Sequence, residues 1–334
     1  MRRRFINKSG ITFDYTNYMT IEALENEVSI SFPQTIEYGI NGVGWKKLYK
    51  GQEIVINRGV FLSVKYSLPE GSEFGSISIS GSCNLKGNCL SLVFYDAASK
   101  NNNLSTYSNC LKGLFSDCKG IKTVDADFLL ATTLASSCYF YMFKGCTSLT
   151  TAPELPATTL DTACYFHMFY NCTSLTNAPS ILPATTLASN CYNSMFYGCT
   201  SLTTAPILPA TTLAERCYCN MFDSCTSLVY APNLPATNLA EQCYQRMFGN
   251  CRSLTTAPDL PATKLAKYCY EDMFYGCSNL NYIKAMFTTT PSTSYTLNWV
   301  YGVASSGTFV KNKNATWSVT GVDGIPSGWT VQTA

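Results

Sequence analysis

Two residue types in this chain could do chemistry by their nature and spacing: cysteine, present 17 times, and histidine, present once. Most cysteines come in pairs eight apart, such as Cys138 and Cys146, and the pair recurs along the chain. Zinc sites are usually built from pairs with two to four intervening residues; the one close pair, Cys217 and Cys219, has a single intervening residue and occurs once. A disulfide within a pair fails on length. A helix between Cys138 and Cys146 would hold their Cα atoms about 12 Å apart, whereas a disulfide needs less than about 7 Å. Bridges between neighbouring units cannot pair all seven members of a column. The sequence therefore predicts two columns of buried thiols packed as small hydrophobes, which suits a reducing compartment. One column holds Cys110, Cys138, Cys164, Cys191, Cys217, Cys243 and Cys269, and the other Cys118, Cys146, Cys172, Cys199, Cys225, Cys251 and Cys277. Cys83 and Cys89 belong to neither column, and spacing leaves their state open.

The histidine is His167. Its column reads Tyr141, His167, Ser194, Asn220, Arg246 and Asp272, a set that fits a solvated helix face better than a catalytic base. A Ser or Thr nucleophile needs a base partner, and no second histidine supplies one. Glu215, Glu241, Glu271 and Asp272 read as outward solubility residues, and no glycine-rich phosphate loop follows a strand pattern. The sequence thus predicts no catalytic residue, metal or cofactor.

These columns exist because the chain repeats. Leu-Pro-Ala-Thr-Thr-Leu begins at Leu155, Leu182, Leu208 and Leu260, with a variant at Leu234, and a proline-free version spans Leu129 to Leu134. Each is followed by Cys-Tyr-x-x-Met-Phe-x-x-Cys, giving seven copies of about 26 residues with the copy at Cys110 the most divergent. Apolar residues at Leu134, Cys138, Tyr139, Met142 and Phe143 predict one short helix per unit, with Thr132 or Thr133 as N-cap. The residue before the second cysteine is Asp117, Gly145, Asn171, Gly198, Ser224, Asn250 or Gly276. That set tolerates the left-handed conformation which ends helices. Thr147 to Pro153 and its counterparts predict a short parallel strand. Stacking would bury Leu149, Ala152, Leu160, Tyr165, Met168 and Phe169 with their column mates in one core.

The predicted strands also carry the best ligand-face candidates. Thr150, Thr151, Thr203, Thr204, Thr255 and Thr256 recur there, with Tyr230 and Tyr282 in place of threonine. Stacked, they would form a flat, neutral, hydroxyl-bearing face suited to glycans, although threonine also simply favours strands. Tyr170, Tyr197 and Tyr275, just before the left-handed position, are secondary candidates.

The remaining residues set bounds. The chain has 334 residues, 13% of them charged, and a net charge of +2. Its only local basic cluster is Arg2-Arg3-Arg4, which is no nucleic-acid footprint. No apolar run is long enough to cross a membrane, and none follows the arginines as a secretory signal would require, so synthesis in the cytoplasm without membrane insertion is expected. Alternating residues at 27–32, 53–57, 60–66 and 76–80 predict a small antiparallel β-sandwich before the repeats.

Met142-Phe143-Lys-Gly-Cys146-Thr-Ser-Leu149 and Leu155-Pro-Ala-Thr-Thr-Leu160 resemble the BspA-like leucine-rich repeats of Bacteroidales surface proteins and their phages. The ending, with Gly307-Thr-Phe-Val-Lys, Ala315-Thr-Trp317 and Gly324-Ile-Pro-Ser-Gly-Trp329, looks like a cap of such proteins, so the resemblance spans roughly 104–334. The opening Met-Arg-Arg-Arg-Phe-Ile-Asn-Lys looks like virion proteins of crAss-like phages. The expectation is an α/β leucine-rich-repeat solenoid at 104–287, an N-terminal β-domain at 1–103 and a β cap at 288–334. The resemblance implies a non-enzymatic virion structural, decoration or fibre protein. Its N-terminal domain would hold other virion proteins, and its solenoid would bind a host surface protein or glycan, with a homo-oligomer possible. A bacterial cell-surface adhesin is the alternative, and a glycan-active enzyme the remote one.

Overall fold

The computed structural model describes residues 4–6, 12–14, 16–98 and 100–334. Of the opening phrase, Arg4, Phe5 and Ile6 are described, and the rest, including Arg2 and Arg3, lies outside the described residues. The chain begins with a small hairpin, β1 (Arg4–Ile6) with β2 (Thr12–Asp14). Eight further strands follow: β3 (Met19–Ala23), β4 (Val28–Ser31), β5 (Ile36–Ile40), β6 (Val43–Leu48), β7 (Glu53–Ile56), β8 (Phe61–Lys65), β9 (Ser78–Ser80) and β10 (Cys83–Lys86). They form two mainly antiparallel sheets. One has the order β7-β4-β9, and the other β10-β3-β8-β5-β6 extended by β11 (Ile121–Val124). The four expected alternating segments coincide with β4, β7, β8 and β9. Their period places Val28, Ile30 and Ile56 inward, and Ile21, Leu62 and Val64 of the larger sheet share that core.

β11 belongs to the first repeat and pairs in parallel with β10. The N-terminal sheet therefore runs directly into the repeat stack. Thr123 of β11 bridges Thr151, which bridges Asn177, and further along Thr204 bridges Tyr230 and Thr256 bridges Tyr282. β12 (Tyr282–Ala285), β13 (Thr308–Lys311) and β14 (Thr330–Thr333) continue the same parallel column through the last segment. Hydrophobic packing is unbroken from Met19 to Trp329. The join is tight at Gly120, where a Cβ would lie 1.8 Å from the Gly81 carbonyl oxygen.

The expected helix in each repeat is absent. The only helical elements among the described residues are Ser91–Phe94 and the single 3-10 turn Tyr95–Ala97. The stretch read as a helix is a chain of tight turns. In one unit, the N–H groups of Cys138, Phe140, Met142, Lys144 and Cys146 close i→i−3 turns. The N–H groups of Ser137, Tyr139, Tyr141, Phe143 and Gly145 instead donate to the next unit, at Thr162, Cys164, Phe166, Met168 and Tyr170, over 2.8–3.0 Å. Ser137, Tyr141 and Gly145 have φ of 56°, 59° and 72°, the positive φ that a type II turn places at its third residue. The left-handed column at Asp117, Gly145, Asn171, Gly198, Ser224, Asn250 and Gly276 is present as expected. It is the third of three such columns rather than a helix stop. Thr133 caps nothing and sits in a second parallel bridge column between Asn103 and Thr159.

The reason is hydrogen-bond accounting. A helix would spend every N–H within the unit and leave nothing to tie one unit to the next. Here alternate peptide groups close turns and the others tie units together, so every backbone N–H from Ser137 to Cys146 is paired, while the buried hydroxyl of Tyr139 makes no hydrogen bond. The strand side is correspondingly sparse: single parallel bridges link the middle units, and regular strands form only at the two ends. The turn pattern also continues past the seventh copy. Phe274 and Gly276 donate to Trp299 and Tyr301, and Asn298 and Gly302 have positive φ.

Inside, the columns stack as ladders. Phe115, Phe143, Phe169, Phe196, Phe222, Phe248 and Phe274 lie 5.5–5.8 Å apart in sequence. Tyr139, Tyr165, Tyr192, Tyr218, Tyr244 and Tyr270 form a second ladder. Trp299 meets the ends of both and donates its indole N–H to Gly324. Trp317 and Trp329 donate likewise to Phe287 and Ala304, so three tryptophans close this end.

Left-handed backbone at a residue other than glycine costs about 1 kcal/mol or more, which gives a test of the turn geometry. Ala163 has a φ of 54°, whereas Ala157 has no positive φ. Ala163→Gly is expected to raise stability by up to about 1 kcal/mol, and Ala157→Gly to lower it by about 0.5–1 kcal/mol. Thermal melts of the two variants check this; equal losses would mean a helical backbone at Ala163.

Candidate functional site

All seventeen cysteines are buried and unbridged. The second column does more than fill space. From Cys146 onward each thiol donates to a phenylalanine carbonyl one unit back, as Cys172 does to Phe143 over 3.1 Å, Cys225 to Phe196 over 3.1 Å and Cys277 to Phe248 over 2.9 Å, whereas Cys118 donates to Ile77 of the N-terminal domain. That carbonyl already closes a turn, since Phe143 accepts the N–H of Cys146, so the thiol uses its second lone pair. Burial pushes the thiols of Cys164, Cys217 and Cys269 up to about 12, which keeps them protonated and poor nucleophiles. The helical rise used to exclude a Cys138–Cys146 bridge does not apply, because that stretch is not helical.

His167 is not on a solvated helix face. It occupies a left-handed position, φ 55°, with its imidazole stacked 4.0 Å from Phe166 and close to Tyr141 and Tyr170. Burial, reinforced by the charge of Lys144, lowers its pKa to about 4. It is neutral at physiological pH and binds protons too weakly to serve as a general base there.

Two outer faces flank the core. On the turn side, Tyr170 and Tyr197 stack at 4.7 Å with 4° between planes, and Tyr275 stacks on Tyr301 at 4.9 Å. Between them the column holds Asp223 and Gly249. The Asp223 side chain is 2% exposed and accepts from Arg246 Nε, Ser224 Oγ and Asn250 Nδ2. Gly249 leaves the room for this, since a Cβ there would lie 2.8 Å from Arg246 Cγ. The guanidinium then reaches the Tyr275 ring at 5.1 Å. The tyrosines on this face spend their ring faces on one another and turn edges outward.

The strand side differs. The structure aligns Thr151, Asn177, Thr204, Tyr230, Thr256 and Tyr282 in one parallel column, with Thr150, Thr176, Thr203 and Thr255 beside it. Asn177 and Thr176 were missed in the sequence, although their place in the repeat aligns them. At the N-terminal end the hydroxyls are already used: Thr150 Oγ1 donates to Lys122 O and Thr176 Oγ1 to Thr150 O. Further along they are free. Among the described residues the hydroxyls of Thr203, Thr204, Thr255 and Thr256 make no hydrogen bond, and all four residues are exposed. Tyr230 is 69% exposed, with no aromatic ring among the described residues stacked on it, and Thr204 and Thr256 lie one unit to either side. Ile207 and Val229 add exposed apolar surface in the same units. The candidate face thus narrows to the C-terminal half of the predicted strip. No cluster among the described residues has the donors to hold a metal ion, and no helix among them is long and apolar enough to cross a membrane.

Comparison with known proteins finds no matching family model and no match among curated proteins. One solved structure, a leucine-rich repeat protein from Bacteroides ovatus, is similar at 18% identity and a TM-score of 0.33, over 69% of this chain and 64% of that one. This chain therefore spans somewhat under two thirds of that protein's length.

The His167 environment yields a pH prediction. Its folded pKa lies below the unfolded value of about 6.5, so the unfolded chain takes up the proton first. Its contribution to stability is full above about pH 6.5 and is lost as pH falls towards about 4. With the partial exposure of the ring discounted, the loss is about 1–2 kcal/mol. His167→Asn keeps a residue that tolerates left-handed backbone and should flatten that part of the stability–pH curve. An unchanged curve in denaturant titrations from pH 7 to 4 would contradict the assignment.

Proposed function

We propose that this chain is a non-enzymatic recognition protein of the leucine-rich-repeat type, binding a neutral polar ligand on the strand side of its solenoid. The observation that carries this is the stretch Thr203-Thr204, Val229-Tyr230 and Thr255-Thr256. Its hydroxyls are unspent and its tyrosine ring is unstacked, while elsewhere along the stack the same groups serve the fold. A free ring beside hydroxyls on a rigid, uncharged surface matches the faces and edges of a sugar, so a host-surface glycan is the ligand class we favour, with a glycosylated surface protein as its carrier. A surface held in register by hydrogen bonds from unit to unit also lowers the entropic cost of binding.

We place the protein at a bacterial cell surface. The repeat resemblance, which includes bacterial surface proteins, runs over roughly 104–334, whereas the phrase favouring a virion is confined to the first eight residues. Proteomics of purified phage particles against cell-envelope fractions separates the two settings.

The site is tested by screening the full chain against a glycan array and then measuring affinity for the strongest binder. Tyr230→Ala is expected to weaken binding at least tenfold, or about 1.4 kcal/mol, with Thr204→Ala and Thr256→Ala weakening it less. Full binding by Tyr230→Ala, together with loss on Tyr197→Ala, would move the site to the turn side.

A further inference from the structure

The N-terminal sheets carry a second exposed feature that ligand recognition by the solenoid does not use. Among the described residues, β6 is the edge of the six-stranded sheet and pairs only with β5, and β7 is the edge of the three-stranded sheet and pairs only with β4. Between them opens a cleft of about 300 Å³, lined by Ile40, Val43, Ile54, Val55 and Val60 with Lys46 in its wall. Val43, Tyr49 and Val55 are 62%, 60% and 56% exposed, and Trp45 is exposed as well. These four are a third of the twelve large apolar residues exposed among the described ones, gathered within thirteen positions. Solvent-facing edge strands are ordinarily short, charged or covered. Here the charge is present, but the apolar surface is left open beside it.

The charge is one-sided. Residues 43–58 hold Lys46, Lys47, Lys50 and Arg58 against Glu53 alone. Lys46, Lys47 and Lys50 are exposed, and none of the four cations forms an ion pair among the described residues. Two copies meeting edge to edge along β6 would oppose lysine to lysine, which disfavours self-pairing. A partner strand with apolar residues toward the cleft, one acidic residue beside Lys46 at the cleft wall and another beside Lys47 on the opposite face would meet both features.

We propose that the β6–β7 edge is a docking site for an extended segment of a different protein. The segment adds a strand to the open sheet, fills the cleft with alternate apolar side chains and pairs acidic residues with Lys46 and Lys47. Backbone hydrogen bonds would supply affinity, and the alternating pockets and charges specificity. The site stands apart from the solenoid face, so the loss of one leaves the other intact.

The test selects binders to the immobilised full chain from a displayed library of random twelve-residue peptides. The enriched peptides are then mapped by hydrogen exchange. Alternating apolar and acidic sequences are expected, with slowed exchange at 43–48 or 53–56. Lys46→Glu/Lys47→Glu, a surface change that should leave the melting temperature unchanged, is expected to weaken them at least about tenfold, and Tyr230→Ala is expected to have no effect. Any of four results overturns the proposal: no enriched peptide, protection mapping elsewhere, equal binding of polyglutamate without apolar residues, or a concentration-dependent dimer that already protects β6.

Discussion

The structure depends on the division of peptide hydrogen bonds between turn closure and stacking. In each repeat, N–H groups at alternate residues go back three positions, and those between them go forward to the next unit. The left-handed residues every fourth position follow from this, because they re-aim the chain after each turn. So does the side-chain order. Pairs such as Cys138-Tyr139 and Met142-Phe143 point inward together, each stacks on its copy one unit on, and ladders of phenylalanine, tyrosine and thiol result. The backbone energy is thus shared between units. No repeat is complete alone, and the ends require closure by the N-terminal sheet at β10–β11 and by Trp299, Trp317 and Trp329.

Much of this was legible in the sequence. The repeat, its length, the inward columns and the left-handed position at Gly145 and its mates all follow from reading the chain against itself. The helix was misread because Leu134, Cys138, Met142 and Cys146 recur at four residues, close to the helical 3.6. In a helix, each step of four drifts about 40° around the axis, so Cys146 would end far from the face of Leu134. A strict period of four that holds through Cys146 was the available signal against a helix. The other two left-handed columns left only a weak trace, at Asn190, Asn220 and Asp272. Ala163, Arg216, Gln242 and Tyr268 are not residues that announce positive φ, and tertiary bonds hold them there at a local cost.

The candidate face was legible as a strip of threonine and tyrosine, but not which part of it is free. That distinction depends on where each hydroxyl goes. Thr150 and Thr176 turn theirs back to the stack, and Thr203, Thr204, Thr255 and Thr256 do not. The tyrosines on the two sides divide by the same logic. Tyr170 and Tyr197 satisfy one another, and Tyr230 is left to solvent. The edge cleft beside β6 was not legible at all. Its residues are near in sequence but lie on strands of two different sheets, and only sheet topology shows that Val43 and Val55 border one opening.

The central claim is that the repeats are turn ribbons tied unit to unit rather than helices packed side by side. Far-UV circular dichroism of the folded chain tests it most directly. The account predicts a spectrum without the paired helical minima near about 208 and 222 nm, because the helical elements amount to Ser91–Phe94 and one short 3-10 turn. A pronounced helical double minimum in the folded, cooperatively melting protein would contradict it.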